Sequence, residues 1–149
     1  MTNFQFYFLA FGITFLDQLI KYLVTQLMRP SQTIPLIHQR LHLTYVQNTG
    51  AAFGLLKGQG FFLIGVGLLV IVTVIYFHHR ISQKESLTQM ALAFILGGSL
   101  GNLIDRFFRG YVVDFIDLRF WPVFNLADMA VNLGVIILLV QILMKPKSH

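Results

Sequence analysis

The chain has 149 residues, of which 56% are hydrophobic and 11% charged, with a net charge of +5 and no cysteine. That length suits one domain. The charged share lies far below the roughly 25% of soluble domains, and the mean hydropathy of +0.70 agrees, so a water-soluble globule is excluded. Without cysteine there is no disulfide, thiolate metal site, cysteine nucleophile or lipidation of the chain itself. The basic residues are scattered around apolar runs with no basic stripe, which points to membrane topology and anionic lipid and away from nucleic acid.

Four apolar runs follow in chain order. The first spans residues 4–28 and carries Asp17 and Lys21 inside it. With charge in its apolar stretch, no basic leader and no small-residue cleavage site, it reads as a retained span and not a cleavable signal peptide. Residues 29–59 contain LHLTYVQ, whose period of two predicts short strands in a small β element at about 34–56, lying on the membrane surface. The second run covers 60–77. A polar loop at 78–87 follows, holding His78, His79, Arg80 and Lys84. The third run, 90–104, is short and is expected to gain a turn at each end, giving a span of about 88–106. Residues 107–124 include GYVVDFIDL, strand-like or irregular, and the fourth span covers 126–144. Each run approaches the roughly 20 residues a spanning helix needs. The fold class is therefore a mainly α membrane protein with four transmembrane helices and a small extracytoplasmic β-sheet element, built as one domain over 1–149. Short basic segments, the 78–87 loop and the tail with Lys145 and Lys147, place both termini in the cytoplasm.

Of the six acidic residues, only Glu85 sits in the loop at that side. Asp17, Asp105, Asp114, Asp117 and Asp128 crowd the opposite ends of the spans. A charge in the hydrocarbon core costs about 2.5–3.5 kcal/mol on insertion scales, so five carboxylates along one boundary require pairing or chemistry. Asp17 and Lys21 stand at i and i+4 in the favourable order for an ion pair; Lys21 is also available to a lipid-linked substrate's phosphate or carbonyl groups. Asn102, Asp105 and Arg106 fall at i, i+3 and i+4 on one helix face, where an Asp–Arg network is the bland alternative. Gly97 and Gly101, four apart, allow close approach of another helix. Asn125 is a good N-cap with Asp128 at the third helical position, resembling a capping box. Asp128 nevertheless follows Asp114 across a return loop. Two carboxylates facing each other share a proton, so one can accept from water while the other donates to a scissile carbonyl. On spacing alone, Asp117 can replace Asp114 in that pair.

The motifs FLDQLIKYLV, NTGAAFG at 48–54, GGSLGNLIDRFFRGYVVDF at 97–115 and FNLADMAVNLG at 124–134 occur in one order over nearly the whole chain. In these the sequence resembles the lipoprotein signal peptidases, also called signal peptidase II. The resemblance implies a four-helix membrane aspartic endopeptidase of the bacterial cytoplasmic membrane. It would remove signal peptides from diacylglyceryl-modified prolipoproteins by cutting before the lipidated cysteine. The active site is then expected near the outer face. The family's catalytic aspartates match Asp114 and Asp128, which decides against Asp117. Its other polar positions match Asp17, Lys21, Asn48, Asn102, Asp105, Arg106 and Asn125, as substrate-binding candidates. Gly50, Ala51, Ala52 and Gly54 match its small-residue loop, with Phe53 and Gly54 suggesting a mobile flap. Neither metal nor cofactor is implied: His38 and His42 have no third ligand near them. The expected partners are the lipid-modified prolipoprotein and membrane phospholipid, with the enzyme a monomer.

Three other readings fit less well. A proton-coupled transporter using Asp17 or Asp105 predicts charges along a path through the bilayer, not at one face. A Ser–Lys peptidase needs Ser99, which lies within an apolar helix. A scaffold gives no reason for Asp114 in YVVDF.

Overall fold

The structure, a computed structural model, describes residues 1–51 and 55–144. The expectations for Ala52, for a flap at Phe53 and Gly54, and for the tail lysines fall outside those residues.

Long apolar stretches with few breakers become helices α1 (Asn3–Leu27), α2 (Gly60–Arg80), α3 (Ser86–Arg109) and α4 (Leu126–Met144). All four are long and apolar enough to cross a membrane. The most apolar window of α3 is 50% buried, against 22%, 17% and 17% for α1, α2 and α4. So α3 is the central helix, with the other three packed around it and their outer faces left for lipid. Its small residues permit this. A Cβ on Gly97 would lie 2.6 Å from the Ala10 carbonyl oxygen of α1, and one on Gly98 would collide with the Ala127 carbonyl oxygen of α4. The expected close approach at Gly97 is thus met by α1, and its neighbour Gly98 admits α4 on another side.

Strands β1 (Thr33–Ile37), β2 (Leu41–Asn48) and β3 (Val112–Asp117) form an antiparallel sheet in that order. LHLTYVQ, expected to form short strands, is β2, and it pairs with β1 as a hairpin within the expected β element. The third comes from GYVVDFIDL, so both segments expected outside the membrane share one sheet. Helix α3 ends at Gly110, whose φ of 77° is the left-handed cap that lets the chain turn back into β3. Val113 and Phe115 of β3 pack with Val24, Met28 and Tyr45 beneath the sheet, which turns Asp114 to the opposite face.

The carboxyl-terminal ends of α2 and α3 each extend by three residues. Helix α3 runs to Arg109, beyond the expected 106. Helix α2 runs to Arg80, so His78 and His79 are helical and not in a loop. The His78 ring is 2% exposed, stacks on Phe6 and bonds Gln89 through Nδ1 at 2.6 Å. Aromatic packing and an amide partner hold this polar side chain inside the bundle.

Candidate active site

The end of the bundle that carries the sheet also holds two distinct groups of polar side chains. The first is closed. The Lys21 ammonium lies 2.8 Å from Asp17 Oδ2 and 2.9 Å from Asp105 Oδ2, and all three side chains are 0% exposed. The other oxygen of Asp17 accepts from the backbone N–H of Ala127 at 2.9 Å, at the start of α4. Asp105 Oδ2 accepts from the N–H of Val113 at 3.0 Å, in β3. Its Oδ1 is bonded by Gln18 at 3.1 Å and paired with Arg109. Two carboxylates and two cations balance, as a buried cluster requires. Gly101 makes room, since a Cβ there would lie 2.5 Å from Asp17 Oδ2.

Asp17, Lys21 and Asp105, expected as substrate-binding candidates, sit together in this cluster. Their side chains are sealed from solvent, with their charges turned toward each other, and tie α1 and α3 to β3 and α4. The basic partners of Asp105 are Lys21 and Arg109 at i+4, not Arg106, because Arg106 projects to the other side of α3. Gln18 and Arg109 complete the cluster, and the i+4 spacing from Asp105 to Arg109 is the sequence signal for the second of them.

The second group is open. Asp114 and Asp128 line one cavity of about 900 Å³ together with Asn48, Asn102 and Arg106. Asp114 Oδ1 accepts from Asn125 Nδ2 at 2.7 Å and its Oδ2 from Asn48 Nδ2 at 3.0 Å. The sheet register makes the second contact: Val46 lies opposite Asp114 and Asn48 opposite Val112, so the two side chains meet diagonally. Asp128 Oδ1 accepts from Asn102 Nδ2 at 2.7 Å. Asn125 N–H donates to Asp128 Oδ2 at 3.3 Å, and Asp128 N–H donates to Asn125 Oδ1 at 2.9 Å. That is the reciprocal capping box expected from FNLAD, now bridging the two carboxylates. Among the described residues, neither carboxylate has a salt-bridge partner.

The amide orientations follow from what stands behind them. Lys21 Nζ can only donate, and it donates to Asn102 Oδ1 at 3.0 Å. Asn102 therefore presents its NH2 to Asp128. In the same way Gly50 N–H donates to Asn48 Oδ1 at 2.9 Å, which turns the Asn48 NH2 to Asp114. Gly50 is irreplaceable there, since a Cβ would lie 2.5 Å from the Leu55 carbonyl oxygen. Arg106 donates to the Gly50 carbonyl at 3.2 Å and to the Asn102 carbonyl at 3.4 Å, which steadies the loop over the cavity.

Burial, followed by the charge of Asp128, pushes the Asp114 carboxyl up to about 7, while donation from Asn48 and Asn125 works against the rise. Asp117 goes the other way. Burial raises it, but the Arg119 N–H at 2.8 Å, the Thr44 hydroxyl at 2.8 Å and the Arg119 guanidinium together hold it below its ordinary value. Asp114 lines the cavity with Asp128, whereas Asp117 is not among its lining residues. Ser99 does line it, correcting its expected seclusion within the helix.

A family description, signal peptidase (SPase) II, matches residues 9–144. The chain belongs to the signal peptidase II family. It is 48% identical over 139 residues to the lipoprotein signal peptidase of Moorella thermoacetica, covering 93% of each chain. It is 41% identical over 141 residues to that of Halothermothrix orenii, covering 95% of this chain and 97% of that one. Among solved structures, a bacterial membrane enzyme determined by the in meso method at 2.3 Å superposes with a TM-score of 0.92 at 30% identity. That match covers 99% of this chain and 94% of the other. The signal peptidase II family cleaves signal peptides from prolipoproteins, and its proteases are of the aspartic type. The chain is accordingly a multi-pass membrane protease acting on prolipoproteins.

Proposed function

We propose that Asp114 and Asp128 form the catalytic pair, cutting the substrate immediately before its diacylglyceryl-modified cysteine. The observation that carries this is one cavity in which two carboxylates face the same space, held by neutral amides while the nearest lysine is spent elsewhere. Two such groups hold one proton between them. Asp114, the one pushed up to about 7, is the acid and donates to the scissile carbonyl oxygen. Asp128 is the base and takes a proton from the attacking water. Collapse of the tetrahedral diol returns a proton to the leaving amine of the cysteine and regenerates the pair. Asn48, Asn102 and Asn125 hold the carboxylates, and Arg106 and Gly50 border the peptide's path.

The site faces the outer side of the cytoplasmic membrane and both termini face inward, because Arg80 and Lys84 concentrate positive charge between α2 and α3. Phe107, Phe108, Phe120 and Trp121 are 54–81% exposed at the site end, a level where aromatic rings meet phospholipid headgroups. One chain supplies both carboxylates, so a monomer suffices.

Cleavage of one prolipoprotein before and after diacylglyceryl transfer, by purified protein in detergent, tests this reading. The lipidated form is expected to be cut before its cysteine, as read by mass spectrometry, and the unlipidated form left intact. Equal cleavage of both would overturn it.

A further inference from the structure

We propose that Ser99 and Asn132 form a second polar subsite that hydrogen-bonds the unwound backbone of the signal segment, on the amino-terminal side of the cut. This rests on the reading of the Asp114–Asp128 pair as the cutting site.

Both residues line the same cavity as the pair. Ser99 precedes Asn102 by three positions on α3, and Asn132 follows Asp128 by four on α4. At 1.5 Å per residue they lie about 4–6 Å deeper in the bundle than Asn102 and Asp128 respectively. Ser99 is half-buried and Asn132 exposed, yet neither side chain has a hydrogen-bond partner among the described residues. Serine and threonine in helices commonly satisfy themselves on the carbonyl four residues back. Thr14 does so on Ala10 at 3.0 Å, and Gln141 on α4 meets Thr88 at 3.1 Å. Ser99 and Asn132 do neither, and an amide left facing lipid is costly.

The substrate supplies what they lack. A peptide bond must be extended to be cut, so the helix of the signal segment ends before the cut. The residues just before it then carry backbone N–H and C=O groups without helical partners. They lie on the membrane side of the scissile bond, where no water satisfies them. A hydroxyl and an amide each donate and accept, which matches an extended backbone offering both kinds of group. Acyl chains need no such partner, and the apolar wall formed by Leu103 and Met129 beside the pair suits them.

The test uses Ser99→Ala, Asn132→Leu and the double variant, with a synthetic lipopeptide substrate in detergent. For the double variant KM should rise about tenfold, the worth of one to two net hydrogen bonds. Its kcat should stay within about twofold, and its thermal midpoint should be unchanged or higher, because an unpartnered amide is gone. Ser99→Thr should retain the wild-type KM. Unchanged KM in the double variant, with the wild type active, would refute the subsite and leave the carboxylate pair standing. A fall in the midpoint that accounts for the lost activity would make these packing residues and also refute it. An inactive wild type would bring down the catalytic reading and the subsite together. A substrate with ether-linked chains separates backbone from lipid. The same KM rise on it supports the proposal, and disappearance of the rise assigns the contacts to the ester carbonyls and overturns it.

Discussion

The two carboxylate groups at the sheet end of the bundle sit within reach of a shared asparagine, yet they are opposites. Asp17 and Asp105 are fully enclosed, each within 3 Å of Lys21, and each also binds the backbone of another element. Asp114 and Asp128 face a cavity and are held by amides that carry no charge. Neutralised carboxylates have no chemistry left to offer and serve as joints. With donors but no countercharge, Asp114 keeps its hold on a proton, as proton transfer requires. The joint also positions the proposed catalytic pair: Asp17 grips the first turn of α4, which bears Asp128, and Asp105 grips Val113, next to Asp114.

The largest expected effect separates the two groups outright. Asp114→Asn and Asp128→Asn should each lower kcat by at least about a thousandfold, as loss of a general acid or base does, with the protein still folded in detergent. Substantial turnover by either purified variant would remove the pair from the mechanism.

Lys21→Met should do the reverse. It leaves two buried carboxylates short of a cation, which costs about 3–5 kcal/mol. The measurement is the thermal midpoint and the yield of folded protein, both of which should drop. Adding Asp17→Asn to Lys21→Met should cost less than the two single changes summed, because the partners interact. Simple additivity would show that the cluster is not one unit.

The smallest effect concerns pH. Folded Asp114 keeps its proton up to about 7, whereas an unfolded aspartate releases it near about 3.9. Between those values the folded state binds more protons, so stability falls as pH rises through that window and levels off above about 7. The thermal midpoint should therefore be higher at pH 5 than at pH 8, and Asp114→Asn should shrink that difference. A pH dependence untouched by the substitution would assign it to other groups.

Much of this was legible in the chain itself. Hydrophobic run length gave the four spans, since a bilayer accepts little else, and α4 begins and ends where its apolar run does. Period-two alternation signalled the strand that became β2, and i+4 spacing the Asp17–Lys21 pair. The capping box at Asn125 and Asp128 could be read because its contacts lie within one helical turn. Motifs pointed to Asp114 over Asp117, though spacing alone left both open.

Tertiary structure decided everything that depends on which way a side chain turns. Asn102, Asp105 and Arg106 share a helix face by spacing, yet in the fold Asp105 turns inward to Lys21 while Arg106 reaches Gly50. The difference arises because α1 covers one side of α3 and the cavity opens on the other. Likewise no local pattern says that β3 joins the hairpin, that His78 is buried, or that a lysine fixes the orientation of the amide facing Asp128. Those contacts join residues far apart in sequence, and only packing the helices around α3 brings them together.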